Sequence, residues 1–247
     1  MLDGSAIQAF ILTLIAGLST GLGGVIVVVV KRKGKWLLGF SLGFAAGVMT
    51  ALSFGDLLPE STQMLLSYYQ VGIAGIITVV AFLCGLLIGA AIDKFVPEIN
   101  GDSVGRAGIV SMIAMVIHNL PEGIATFMAG YQDINLGISI AVAIALHNIP
   151  EGISIAIPIY YSTGKKSKAI AYALLSGLSE PIGALLTAML FWRFINDQVL
   201  GVLFGVIGGI MVYIALNELF LLTEKITDQI SVLVGVISGA LIMLLAL

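Results

Sequence analysis

His118-Asn119-Leu120-Pro121-Glu122-Gly123 recurs further along the chain as His147-Asn148-Ile149-Pro150-Glu151-Gly152, and these two copies hold both histidines of the protein. Each copy lies inside an apolar stretch long enough to cross a bilayer. In a helix, residues i and i+4 share a face, so His118 aligns with Glu122 and His147 with Glu151. At about 100° per residue, each glutamate falls between the histidine and asparagine of its own copy. Imidazole, carboxylate and amide oxygen on one stripe form a donor set for metal ions. Pro121 and Pro150 cannot donate to the carbonyls of Ile117 and Leu146, and such freed carbonyls are tolerated at membrane depth where they face protein or a water-filled cavity.

Composition agrees with that setting. Of 247 residues, 59% are hydrophobic and only 10% charged, with a mean hydropathy of +1.12, which excludes a soluble domain. The single cysteine, Cys84, leaves no intramolecular disulfide and no thiolate cluster. The N-terminal Met-Leu-Asp-Gly-Ser lacks the basic region of a signal peptide, so the first apolar stretch is expected to be retained as a span.

Eight stretches approach the roughly 20 apolar residues that spanning requires: about 7–30, 36–58, 72–92, 107–130, 134–160, 169–191, 200–222 and 230–247. The expected fold is therefore an all-α polytopic membrane protein of eight transmembrane helices, forming one transmembrane domain. Ten of the eleven basic residues follow spans one, three, five and seven, leaving Arg193 alone on the other side. By the positive-inside rule those connections are cytoplasmic and both termini face outward.

An internal repeat is also legible. Gly17-Leu18-Ser19-Thr20-Gly21-Leu22-Gly23 resembles Gly177-Leu178-Ser179-Glu180-Pro181-Ile182-Gly183, at an offset of 160 residues. Gly43, Gly47, Met49, Asp56 and Leu57 return as Gly205, Gly209, Met211, Glu218 and Leu219, at an offset of 162. The expected organisation is 3+2+3, with repeat one at about 7–92, a central pair at 107–160 and repeat two at about 169–247. Three spans per repeat and two between them give the halves opposite orientation, a transporter signature.

Five carboxylates lie within spans: Asp56, Glu122, Glu151, Glu180 and Glu218. Unpaired at the bilayer centre they would cost on the order of 12–17 kcal/mol together, comparable to the whole stability of a typical protein. No basic residue lies at the same depth, so the acids are protonated, face water or bind cations. His118, Glu122, His147 and Glu151 can form one four-ligand site. Asn119, Asn148 and Glu180 can form a second, with both motif glutamates bridging. The donor mixture suits zinc, iron(II), cobalt, manganese and cadmium better than calcium or magnesium. Asp56 and Glu218 are candidate pathway acids, each near the C-terminal end of its span and so expected on opposite sides of the midplane. Met49, Met112, Met115, Met128 and Met211 are read as packing residues, and Asp93, Glu98 and Asp102 as a solvated loop.

The paired motif, the Ser179-Glu180-Pro181 of the next span and the eight-span pattern resemble the ZIP (Zrt/Irt-like) metal transporters over the whole chain, and most of all the short prokaryotic zinc-uptake branch. The resemblance implies influx of zinc and related ions, a 3+2+3 helix arrangement, a metal site between spans four and five, and homodimers in at least some members. It departs in two places. No histidine occurs between Asp93 and Arg106, and Asn217 precedes Glu218 where many relatives have histidine. The expected partners are divalent ions and the lipid bilayer of a prokaryotic cell membrane, with no nucleic acid and no cofactor beyond one or two bound ions. Two competing readings use the same residues. One is an intramembrane metal-dependent hydrolase, which lacks a separate general base here; the other is a gated metal channel.

Overall fold

The computed structural model describes residues 4–29, 34–96, 103–191, 196–220 and 228–246. They form eight helical rods. Helix α1 is Gly4–Val29. Helix α2 joins Lys35–Leu52, a π-helical turn at Ser53–Leu57 and Leu58–Leu66. Helices α3, α4 and α5 are Val71–Phe95, Ser103–Gln132 and Ile134–Thr163. Helix α6 comprises Lys166–Gly177, Ser179–Leu186 and a π-helical turn at Thr187–Phe191. Helix α7 is Asp197–Ile214 with a π-helical turn at Ala215–Phe220, and α8 is Gln229–Ala246. Seven are long and apolar enough to cross a membrane, and α8 is a shorter apolar helix. The chain is a polytopic integral membrane protein.

The packing follows membrane rather than aqueous logic. Large apolar side chains such as Ile15, Ile76, Leu87, Val142 and Leu233 point outward, while alanine, glycine, serine and threonine fill much of the interior. Lipid is as apolar as leucine, so small residues that let backbones approach carry helix association. Helices α1, α4, α5 and α6 pack on one another, and α2, α3, α7 and α8 form a second bundle. The seam between the bundles is apolar: Leu42, Met49 and Leu52 of α2 and Ile207, Ile210, Met211 and Ile214 of α7 meet Val110, Ala114 and Met115 of α4. Met49, Met115 and Met211 are thus core residues, as their type suggests.

The glycines of the repeated segments make contacts that correspond in pairs. Gly43 and Gly47 seat α2 against Val232 and Val236 of α8, while Gly205 and Gly209 seat α7 against Ala81 and Phe82 of α3. A Cβ on Gly23 of α1 would lie 2.3 Å from the carbonyl oxygen of Ile149 in α5; one on Gly183 of α6 would lie 2.1 Å from that of Leu120 in α4. The two motif helices are therefore held directly against backbone.

Helix α2 runs past the expected end at Leu58. Pro59 would break a regular helix, but it falls in the first turn after the π-helical segment, where the hydrogen-bond register has already shifted. A second π-helical turn occupies the matching place in α7, so Asp56 and Glu218 both lie on backbone of this kind. Such bulges are frequent at functional sites.

Candidate metal site

Pro121 and Pro150 are accommodated inside unbroken helices, α4 and α5. These pack along each other so that the two motifs meet. His118 Nε2 lies 3.1 Å from Glu122 Oε1 and 3.3 Å from Glu151 Oε1, and His147 Nε2 lies 3.1 Å from the same Glu122 oxygen. Donor atoms of His118, His147 and Glu151 all fall within 4.8 Å of one another. All four side chains are buried.

Proximity does not satisfy these atoms. Both ring nitrogens of His118, Glu122 Oε2 and Glu151 Oε1 lack a hydrogen-bond partner although fully enclosed. Buried polar atoms are almost always paired, and leaving one unpaired costs about 1–3 kcal/mol. Apart from the His147 Nε2–Glu122 Oε1 hydrogen bond of 3.1 Å, the converging atoms leave one another unsatisfied, and two imidazoles with two carboxylates are a donor set that could hold a divalent transition ion.

Beside this cluster, Asn148 Nδ2 donates to Glu180 Oε1 of α6 and to the carbonyl oxygen of Ala16 in α1, 3.0 Å away. Glu180 Oε2 and Asn148 Oδ1 are buried and unpaired. Asn119 donates to Met115 O at 2.9 Å and to Glu151 Oε2 at 3.3 Å with its amide turned to suit those acceptors. All seven residues expected from the motifs and from Glu180 are buried in this region. Thr20 occupies in α1 the place that Glu180 occupies in α6: Gly152 approaches the carbonyl oxygen of Thr20 just as Gly123 approaches that of Glu180. The third acid therefore enters from one side only.

Pro181 likewise cannot donate to the Gly177 carbonyl, but a Cβ on Gly17 would meet that oxygen at 2.3 Å. It faces α1 rather than adding a ligand.

A cavity of about 500 Å³ leads to the cluster. Its walls include Glu122 and His147 at one end, Met128, Phe204 and Met243 along the sides, and Asp56, Glu60, Gln132 and Asp197. Gln132 and Asp197 mark the connections between α4 and α5 and between α6 and α7, the ends away from Lys35, Lys94, Arg106 and Lys165. Asp56 is half-buried in this vestibule. The side chain of Glu218 lies outside the described residues.

The comparisons with known proteins agree with this geometry. Residues 100–247 match the family model described as ZIP Zinc transporter. The zinc transporter ZupT of Streptococcus mutans serotype c is 44% identical, covering 97% of this chain and 96% of its own. Those of Clostridium perfringens and Akkermansia muciniphila are 40% and 41% identical, each over at least 96% of both chains. The chain belongs to the ZIP zinc transporter family.

Membership in the ZIP family removes the hydrolase reading, since this is a family of transporters. Two features of this ZIP chain go beyond the residues that its motifs single out. Glu60 and Asp197 join Asp56 in the vestibule; the i, i+4 spacing of Asp56 and Glu60 was the available signal. Asp93 is no solvated-loop residue. It ends α3 half-buried, bonded to Arg106 of α4 and to Tyr213 and Asn217 of α7. Its helical position one residue before Lys94 resembled a loop boundary, and nothing in the sequence named its partners. Glu98 and Asp102 lie outside the described residues.

Proposed function

We propose that this protein carries divalent transition-metal ions, zinc foremost and iron, cobalt, manganese and cadmium beside it, into the cytoplasm. The observation that supports this best is the vestibule ending on Glu122 and His147. An ion entering it meets carboxylates first and the imidazole–carboxylate cluster last. In our reading the basic connections are cytoplasmic, both termini lie outside, and the vestibule opens outward. The bacterial relatives named as zinc transporters support zinc as cargo and the bacterial cell membrane as location.

The transport site in this reading is His118, Glu122, His147 and Glu151, with Asn119, Asn148 and Glu180 completing a place for a second ion. Two imidazoles and two carboxylates around one divalent ion are formally neutral, which makes the loaded site compatible with low dielectric. Asp56 captures ions near the mouth, and Glu218 assists release. Spans one to three and six to eight act as inverted repeats flanking the α4–α5 pair. The sequence offsets and the corresponding glycine contacts favour that division.

The deciding experiment is uptake of radioactive zinc into proteoliposomes, with competing metals and with an opposing gradient. Saturable uptake, competed by cadmium or iron(II) but not by calcium, is the expected outcome. Metal bound without flux would refute transport, and non-saturating flux that never runs against a gradient would favour a channel.

A further inference from the structure

Beyond the metal site, the most connected polar group among the described residues is Asp93, whose two carboxylate oxygens face different ways. Oδ2 accepts from Tyr213 Oη at 3.0 Å and from Asn217 Nδ2 at 3.1 Å, both on α7 of the same bundle. Oδ1 accepts from Arg106 Nη2 of α4 in the other bundle, and Arg106 also donates to the carbonyl oxygens of Asp93 and, at 2.8 Å, Val96. Asn217 further donates to Tyr213 Oη at 3.2 Å, so the α7 pair is itself braced. Arg106 and Asp93 are only 16% and 17% exposed. The Arg106 bonds therefore cross from one bundle to the other.

Their position matters. Below His118, away from the vestibule, α4 presents Val110, Ala114 and Met115 to the fully buried side chains of α7. On α4 this buried apolar run separates His118 from Arg106, which lies one turn beyond Val110. Helices α4 and α7 also line the vestibule with Met128, Phe204 and Leu200. The same two helices flank the vestibule at one end and are linked through Asp93 of α3 at the other. A charge-assisted, multidentate bond adds a directional specificity that apolar packing lacks.

We propose that Asp93 and Arg106 form the latch that keeps the seam shut while the vestibule is open, and that their separation is the step which admits the metal site to the basic side. Tyr213 and Asn217 are positioning residues: they aim the Asp93 carboxylate at Arg106 and hold it in its own bundle when the latch parts. This assignment rests on the carrier reading for its purpose, but the conformational claim can be tested without metal flux.

The test uses full-length protein in membranes, with Cys84→Ala as background and one reporter cysteine at a time. Ala114→Cys places a thiol in the seam, one turn below His118; Met128→Cys places one in the vestibule. Impermeant thiol reagent is applied from the basic side for the first and from the opposite side for the second. Arg106→Gln is expected to speed labelling at position 114 by roughly tenfold and to slow it at 128, the population shift expected when a charge-assisted bond network is lost. Tyr213→Phe should move both rates in the same directions by less. Opposed changes cannot arise from loosening of the fold, which would speed both. Unchanged rates at both positions, or faster labelling at both, would overturn the latch. Opposed changes in a protein that moves no zinc would leave the latch standing and remove the carrier reading.

Discussion

Gly17 and Gly177 lie face to face, each so close that a Cβ on one would sit within 2.3 Å of the other's carbonyl oxygen. Helices α1 and α6 approach there backbone to backbone, with Thr20 and Pro181 packed at the margin. Gly17→Val or Gly177→Val is expected to force them apart at a cost of at least about 1–3 kcal/mol. The loss should appear as a lower melting temperature in detergent and as lost uptake. Gly75→Ala, where nothing lies within 4 Å, is the matched control and should leave both unchanged.

The orientation of the chain can be read with two cysteines. In a background lacking Cys84, Gly34→Cys should resist an impermeant thiol reagent in intact cells, while Gln132→Cys should react. Position 34 has open space around it and position 132 is exposed, so neither substitution disturbs packing. The reverse pattern would invert the topology and the direction of transport with it.

Glu122 stands within 3.1 Å of both imidazoles, and Glu151 within 3.3 Å of one. Glu122→Ala and Glu151→Ala should each reduce zinc uptake to background while the protein still inserts and purifies, since removing an acid from the membrane interior is not itself costly. Wild-type uptake by either inserted variant would refute the site.

Glu180 bears on ion stoichiometry. Glu122 and Glu151 balance one divalent ion, and a second brings two further charges. Glu180 supplies a further carboxylate oxygen beside the cluster that is buried and unpaired. Glu180→Gln should lower bound metal from about two ions per chain to about one, with residual uptake and altered selectivity. The count comes from elemental analysis of purified, saturated protein. One ion in the wild type, or two bound equally tightly by the variant, would leave Glu180 as a proton carrier or a packing acid.

Asp56 and Glu218 lie on corresponding π-helical turns of α2 and α7. Asp56→Asn should raise the apparent KM for zinc more than it lowers the maximum rate; Glu218→Gln should chiefly lower the maximum rate. Identical effects of the two on initial uptake rates would remove the directional assignment.

The motif spacing was enough to foresee which side chains meet, because two i, i+4 pairs on adjacent helices leave few ways for buried acids to avoid histidine. The eight spans were legible from apolar length alone. What the sequence hid depends on hydrogen-bond register and on distant partners. The π-helical turn before Pro59 let α2 continue where proline normally stops a helix. Asp93 resembled a solvated residue because Tyr213 and Asn217 lie more than a hundred positions away. Pro181 marks a freed carbonyl at Gly177, yet the direction of that carbonyl depends on how closely Gly17 approaches.

The breadth of the vestibule has a consequence for ion choice. The cavity above Glu122 and His147, about 500 Å³, has room for an ion together with several of its waters, which the ligands of the cluster would then have to replace. Discrimination then acts partly through the speed of dehydration, not through affinity alone. Magnesium, which dehydrates reluctantly, would stall at the bottom of the vestibule even where its concentration far exceeds that of zinc. Competition by excess magnesium should accordingly leave initial zinc uptake nearly untouched.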